Sequence, residues 1–396
     1  LSLQVNLLVQ QALISSPHVQ VAAAEPHIQN TVLVEEQADF DWRSFLETQY
    51  DNLNDPIGNT LTTGNNDDRF KQNEFYARGG IRRRNRAGGE IDISQRIGTM
   101  RNNSRFLIPP DQGNSRLELN YTQPLLNGRG RYVNESTILL AHIDYNTAGD
   151  QFLQSLQDHL LLVTEAYWEL YRSRANYFQR QRLLESAKEI LNNLEGRSEV
   201  DSLDRQVLRA KAAVASRKSE IARALTRVRN AQSQLRLLVN DPSLLNSSCL
   251  EFLPSDKPLA NDLGIAMNDA IATALSHRPD ISQAIRELRS TTVRLGVAKN
   301  DLLPQLDLLL STYVAGLNGN TDVYAAYVNQ FVDGRPGFTV GLQFEVPLGN
   351  RAARARHDRR KWELTRAVGR FRAVTETALT EVEIAYREVG TTFREM

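Results

Sequence analysis

The sequence predicts a mixed α and β fold with an internal two-fold repeat, in which strands with one greasy face feed helices far longer than a globular core can use. Three observations carry this. Strand-like stretches alternate apolar and polar residues, most strictly where Phe338, Val340, Leu342, Phe344 and Val346 are interleaved with Thr339, Gly341, Gln343 and Glu345. Apolar residues recur every seventh position along two returning helical stretches. The order of these pieces occurs twice.

Composition sets outer bounds. The chain has 396 residues, 41% hydrophobic and 24% charged, as in a folded protein. Its net charge is zero, which gives bulk charge no pull on nucleic acid. No run of about 18 apolar residues exists, hence no transmembrane helix is expected, but a barrel strand needs only about 9–11 alternating residues and escapes that test. Cys249 stands alone, so an internal disulfide or multi-cysteine metal site is excluded. The sequence opens at Leu1 without a start Met or signal pattern, so a mature or trimmed chain is expected.

Along the chain, Val5 to Leu13 reads as a short helix stopped by Ser15-Ser16-Pro17, and a second helix follows to about Glu36, with Pro26 expected to kink or shorten it. From Asp39 a strand with Phe40, Trp42 and Phe45 is expected, then a polar loop from Asn52 to Asn73. Phe75 to Arg86 and Glu90 to Gly98 flank Ala87-Gly88-Gly89 as a hairpin. After a loop with Pro109-Pro110, Leu117, Leu119 and Tyr121 alternate with Glu118, Asn120 and Thr122, and the strand ends at Gln123-Pro124-Leu125-Leu126-Asn127-Gly128. A helix from about Tyr132 to Leu194 would span roughly 95 Å, unless Gly149 breaks it. Val163, Leu170, Tyr177, Leu184 and Leu191 mark its seam. The return helix carries Val200, Val207, Val214, Ile221, Val228 and Leu235 on one row, and Leu203, Ala210, Arg217, Ala224, Ala231 and Leu238 on the other. Asp241-Pro242 ends it, and a connector runs to Asn261.

The second copy begins at Asp262. Ala274-Leu275-Ser276-His277-Arg278-Pro279 matches Ala12-Leu13-Ile14-Ser15-Ser16-Pro17. A helix to Asp301 follows, then a strand from Gln305 to Val314, a Gly/Asn loop, the alternating strand from Phe338, and Val346-Pro347-Leu348-Gly349. A heptad helix with Leu364, Val368, Phe371, Thr375, Ala378, Val382, Ala385 and Val389 closes the sequence. The expected division is thus 1–261, with helices 3–36, strands 39–123 including a hairpin at 75–98, a helical hairpin 131–240 and a connector 241–261; and 262–396, with helices 262–301, strands 305–314 and 337–348, and a helix 350–396.

In block order the chain resembles the TolC family of bacterial outer-membrane efflux and secretion channels. The resemblance rests on the two Ala-Leu…Pro openings, the two strand ends at Pro124 and Pro347, Ala166-Tyr167 with Ala385-Tyr386, and the turn Gly196-Arg197-Ser198-Glu199-Val200-Asp201. No single motif is specific; their order and duplication are, over nearly the whole chain. The resemblance implies a homotrimer whose strands form one shared transmembrane β-barrel, continued by a long α-helical coiled-coil barrel through the periplasm. It implies an outer-membrane exit duct of a tripartite efflux or type I secretion system, a passive conduit for small molecules or secreted protein. A periplasmic adaptor and an inner-membrane transporter would meet it at the helical tip, made here by Gly196, Arg197, Ser198, Glu199, Asp201 and Asp204.

Physical reasoning points the same way. Alternating faces suit lipid outside and water inside. Four strands cannot close a barrel, so such a chain shares edges with copies of itself. Narrow heptad stripes on wet helices suit a ring around water better than a solid bundle. On this basis Phe338, Val340, Leu342, Phe344 and Val346 are expected to face outer-membrane lipid. Two departures stand out: the hairpin at 75–98 is extra and is expected to extend the sheet outside the membrane, with replacement of one of the barrel strands as the other reading, and the sequence reaches Met396 before a second tip turn.

No catalytic, cofactor or metal constellation can be assembled, so no enzyme is expected. His18, His27, His142, His159, His277 and His357 are scattered, and Gly128-Arg129-Gly130 lacks the context of a P-loop. Arg82-Arg83-Arg84 with Arg86 reads as a solvated hairpin face, with phosphate binding as the other reading. The tip carboxylates read either as helix capping, with Ser198 as the cap, or as an adaptor contact and cation-attracting ring. Phe40, Trp42, Tyr121 and Phe338 read as an aromatic girdle or as ordinary strand packing. The alternative for the whole chain is a soluble periplasmic coiled-coil adaptor or scaffold. A barrel enzyme such as a lipase would need a Ser/His/acid set not found here.

Overall fold

The computed structural model describes residues 2–59, 61–64, 67–196, 204–245, 251–258 and 264–395. A two-residue strand β1 (Ser2–Leu3) leads into α1 (Val5–Ser15) and α2 (Pro17–Ala38). The strands β2 (Arg43–Pro56), β3 (Arg69–Arg84), β4 (Glu90–Asn102) and β5 (Asp111–Pro124) follow. Next come a single turn α3 (Arg131–Asn134), the long helix α4 (Ser136–Gly196), its return α5 (Asp204–Val239), α6 (Pro242–Leu245) and β6 (Leu253–Pro254). The chain ends with α7 (Met267–His277), α8 (Pro279–Asn300), β7 (Gln305–Gly319), α9 (Val323–Val332), β8 (Gly337–Glu345) and α10 (Arg351–Glu395). The pairs α1/α2 and α7/α8 match in length, 11 and 22 residues each, with Pro17 and Pro279 at the first helical position.

Several expectations shift in detail. α2 continues through Pro26, and α4 runs 61 residues through Gly149 without a break. Phe40 and Trp42 precede the first long strand, and Phe40 is buried, its carbonyl accepting a 2.7 Å hydrogen bond from Arg83 Nε. The stretch expected as a loop from Asn52 to Asn73 is strand at both its ends, through Pro56 and from Arg69. Asn and Asp disfavour strands on their own, but here β2 is held by continuous pairing to β3, with Asn52 Nδ2 donating to Asn73 Oδ1 at 2.6 Å. α9 replaces part of the expected Gly/Asn loop.

Two compact units result, Leu1–Ile28 with Asn146–Gln283 and Ala373–Met396, and Gln29–Tyr145 with Ala284–Arg372. Each draws on both halves of the sequence. In the first unit the core is the α4/α5 seam: Val163, Ala166, Tyr167 and Leu170 pack against Val228, Ala231, Leu235 and Leu238, joined by Leu3, Leu8, Ala12 and Phe252. Of the two rows read from the heptads, Val214, Ala224, Val228, Ala231, Leu235 and Leu238 are buried and Val207, Ala210 and Ile221 half-buried, while Val200 and Leu203 lie outside the described residues. Arg217, the odd member of the small row, pairs with Glu220 at 3.0 Å, which also meets Arg180 across the seam at 2.5 Å. The Arg217 hydrogen bond, ahead of the opposing desolvation, holds the Glu220 carboxyl below its usual range. Tyr167 is fully buried; its hydroxyl lies 3.1 Å from the Leu3 carbonyl and 3.0 Å from Asp256 Oδ2, and accepts from the Asp256 N–H. It ties the parallel β1/β6 pair to the seam.

In the second unit one six-stranded sheet runs β2-β3-β4-β5-β7-β8, antiparallel throughout. The extra hairpin is not an appendage. β3 and β4 are paired on both sides and lie inside the sheet. Its turn is closed by Asn85, whose side chain accepts from the Ala87 and Gly89 N–H groups, with Gly88 at φ 97°. Gly128 and Gly349, which end the two matching Pro-Leu motifs, both sit at positive φ (79° and 84°), where a side chain is strained.

Candidate membrane-facing sheet

Directly paired residues share a face, so the register sorts every strand residue to one side. One side is apolar across all six strands. Val340 lies opposite Leu310, then Tyr121 and Ile91; Phe338 lies opposite Thr312, then Leu119, Ile93 and Ile81. Leu342 and Phe344 meet Leu308 and Leu306, and Ile97, Ala77, Phe75, Leu46 and Tyr50 extend the same face to β2. Phe338, Val340, Leu342 and Phe344 are exposed at 63–81%. Val346, expected with them, lies one residue beyond β8 and is also exposed. A contiguous apolar surface of this kind is rare on a protein bathed in water.

The other side is polar and charged. Arg78, Arg96 and Arg116 stand directly opposite one another on β3, β4 and β5. Like charges so placed repel. Each is compensated: Arg96 by Glu74 at 2.5 Å, Arg116 by Glu118 at 2.5 Å and Arg78 by Asp92 at 3.2 Å. All three guanidiniums also lie over aromatic rings, Arg78 on Phe45 at 5.4 Å, Arg96 on Tyr76 at 4.0 Å and Arg116 on Tyr313 at 3.8 Å. This arginine row was not singled out in the sequence. Its spacing within each strand is unremarkable, and only the register brings the three together.

α9 lies on the apolar side, packed on β7, β5 and β4. Gln330, fully buried, accepts from Ser115 Oγ at 3.0 Å and donates to Gln95 Oε1 at 3.2 Å, while Gln95 Nε2 donates to Ser115 Oγ at 2.7 Å. The closed ring satisfies each group in place of water. Beneath the helix the sheet carries Gly316 and Gly113, where a Cβ would run into the backbone of Ala326 and Gln330, and of Asp322.

The basic run is tied into the protein. Arg83 lies over Trp42 at 5.6 Å and Arg82 over Phe45 at 5.5 Å; Arg84 donates to Asn134 Oδ1 at 2.6 Å, and Arg86 pairs with Glu135 at 3.3 Å. These contacts favour the structural reading over a phosphate site. Of the aromatic set, Trp42 and Phe338 are exposed, Phe40 is buried, and Tyr121 donates to Gln123 Oε1 at 2.6 Å.

At the tip, Gly196 ends α4 and Asp204 opens α5; Arg197, Ser198, Glu199 and Asp201 lie outside the described residues. Glu195 and Lys211 join the two arms at 2.9 Å. Farther along the same unit, Arg278 bridges Asp280 at 2.8 Å and Glu381 on α10 at 2.7 Å. Burial pushes the Asp280 carboxyl up, but the Arg278 hydrogen bond and charge and the Ile281 N–H outweigh it and hold it below its usual range. His159 Nε2 lies 3.0 Å from Ser16 Oγ and 3.1 Å from the Leu238 carbonyl, and its ring is 5.4 Å from that of His18. Burial lowers its pKa; the Leu238 bond opposes this and the His18 charge adds to it. Among the described residues no helix is long and apolar enough to cross a membrane, and no group of three or more His, Cys, Asp or Glu is placed to hold a metal.

Residues 270–394 match the sequence model of the family described as Outer membrane efflux protein. No curated protein matches the chain. Solved structures share its fold. The outer-membrane channel OprN superposes with a TM-score of 0.68 at 19% identity, covering 98% of this chain and 74% of that one. The Campylobacter jejuni CmeC outer membrane channel gives 0.64 at 16%, covering 95% and 68%. The open state of the Neisseria gonorrhoeae MtrE outer membrane channel gives 0.58 at 15%, covering 98% and 72%. The fold of this chain is therefore that of these outer-membrane channels.

Proposed function

We propose that the chain is an outer membrane efflux protein, a passive exit duct in which three copies share one β-barrel in the outer membrane and continue it as a helical tunnel in the periplasm. The observation that carries this is the two-sided sheet. Its apolar face spans all six strands and its charged face lies opposite. In hydrocarbon every backbone group must be paired, so an open sheet with edges β2 and β8 cannot stand alone. The edges are made for a neighbour. β2 runs away from the helical end of the sheet and β8 returns to it, so identical copies meet antiparallel with like faces aligned. On the order of 16–18 strands enclose an aqueous channel, a size that three six-stranded sheets reach.

On this reading Phe338, Val340, Leu342, Phe344 and Val346 face lipid, and the row Arg78, Arg96 and Arg116 faces the water-filled bore. Residues 1–261 and 262–396 are two structural repeats, supported by the matched helix pairs and the two positive-φ glycines. The α4/α5 hairpin reaches toward a periplasmic adaptor, with Gly196, Arg197, Ser198, Glu199, Asp201 and Asp204 as its contact. An energy-driven inner-membrane transporter supplies the cargo, small molecules or secreted protein. Exposed apolar residues on α10, among them Tyr386, Val389 and Phe393, suit helix neighbours in a tunnel wall. A soluble adaptor would need a further layer over Phe338 to Phe344.

The test is hydrodynamic. The purified chain should require detergent and sediment as a trimer after correction for bound detergent. A monomer soluble without detergent contradicts the proposal.

A further inference from the structure

The apolar residues of α9 fall at Tyr324, Tyr327, Val328 and Phe331, the i, i+3, i+4, i+7 stripe that a helix in water turns inward. Here the stripe points out. Tyr324 is 79% and Phe331 57% exposed, and Val332 extends the surface. Turned in are the small Ala326 and the polar Gln330, both fully buried, and Gln330 is held in its ring with Gln95 and Ser115. No charged residue lies within the helix; Asp322 caps its start, accepting from the Ala325 N–H at 2.9 Å, and Asp333 follows its end. Outside apolar and inside polar is the order expected where the surrounding solvent is hydrocarbon and polar groups must find partners within the protein. The seat fits the helix: beneath α9 the sheet carries the small residues Gly113, Ser115 and Gly316, and a Cβ at either glycine would run into the backbone of α9 or its cap.

We propose that α9 is a lipid-contacting collar, its Tyr324–Tyr327–Val328–Phe331 surface immersed in acyl chains at the end of the sheet away from the long helices. The inference rests on the membrane reading of the sheet and adds a surface that no strand supplies. Acyl chains are the occupant because the stripe continues the same apolar face that β8 presents through Val340 and Leu342. No charged residue lies within the helix, and the only hydrogen-bonding groups on the exposed stripe are the hydroxyls at the rims of Tyr324 and Tyr327. Tyr327 and Phe331 stack edge to face at 5.4 Å, an ordered aromatic pair with the tyrosine hydroxyl free to sit near a headgroup layer.

The experiment uses the full chain in vesicles of phosphatidylcholine with brominated or plain acyl chains. Phe331→Trp and Leu342→Trp are read as difference emission against the parent protein, which removes Trp42, Trp168 and Trp362. The expected result is that bromine removes the same fraction of emission at both positions and aqueous iodide removes little at either. If Leu342→Trp is quenched by bromine and Phe331→Trp only by iodide, the collar is wrong and the barrel stands. If Phe331→Trp is shielded from both quenchers, a second copy or another protein covers α9, which also overturns the collar. If neither position is quenched by bromine, the membrane reading fails and the collar with it. Should Phe331→Trp not fold, Tyr324→Trp repeats the readout at the most exposed position of the stripe.

Discussion

Replacing Val340 by arginine separates lipid from water at a single side chain. Val340 lies near the middle of β8, opposite Leu310, and is 65% exposed. Because it is exposed, arginine creates no cavity and no clash. In water such a surface change costs within about 0.5 kcal/mol. Against hydrocarbon the guanidinium must be dehydrated or drag water with it, at about 2–4 kcal/mol near the bilayer midplane. That is roughly a 30- to 1,000-fold shift in the folding equilibrium. Thr339→Arg is the internal control, one residue away on the polar face opposite Ser311. It keeps the same strand, the same exposure class and the same added charge. The assay is reversible guanidinium unfolding of the chain in phospholipid vesicles, comparing midpoints at constant slope. Val340→Arg should be the less stable of the two by most of the 2–4 kcal/mol. Equal stabilities, or a larger cost at Thr339, would refute the assignment of the two faces.

Three further outcomes are expected. Tyr167→Phe removes the hydroxyl that accepts from the Asp256 N–H; leaving that donor unpaired should cost about 1–3 kcal/mol, read as a lowered unfolding midpoint, while the Leu3 carbonyl keeps its bonds from the Ser255 N–H and Oγ. Gly316→Ala forces a Cβ into the backbone of Ala326 and Gln330; overpacking of about 1–3 kcal/mol should appear as faster proteolysis within α9, whereas Gly341→Ala, which meets only Leu309 at 3.8 Å, should be tolerated. His159 resists protonation in the folded state because of its burial. Above its ordinary value of about 6.5 both states are neutral and the effect is nil. As pH falls below that value the unfolded chain takes up a proton that the folded chain refuses, so stability declines until the pH passes the lowered folded value. Thermal midpoints between neutral and mildly acid pH should show this loss, and His159→Gln should reduce it.

The helical half of the fold was legible because a seam needs only a one-dimensional period. Val163, Leu170, Val214, Val228 and Leu235 are buried where the heptads put them. Arg217 was legible as an exception with Glu220 three residues on along the same helix, but Arg180, which meets Glu220 across the seam, comes near only once the arms pair. The sheet was legible where one face is greasy, as at Phe338 to Phe344, and illegible where pairing alone makes the strand, as at Asn52 and Asn54. The arginine row had no linear signature, since Arg78, Arg96 and Arg116 meet through register. α9 did carry one. Its cap at Asp322 and its stripe from Tyr324 to Phe331 spell a helix, hidden by the Gly- and Asn-rich residues around it. The tip was named from its turn motif, and of that motif Gly196 and Asp204 alone fall within the described residues.

The central claim is that this chain encloses a water-filled path across a membrane. Single-channel recording in a planar lipid bilayer addresses it directly. Adding the detergent-purified trimer should produce discrete, ohmic conductance steps that persist without any nucleotide or substrate. A bilayer that stays silent, with trimer demonstrably inserted, would contradict the account.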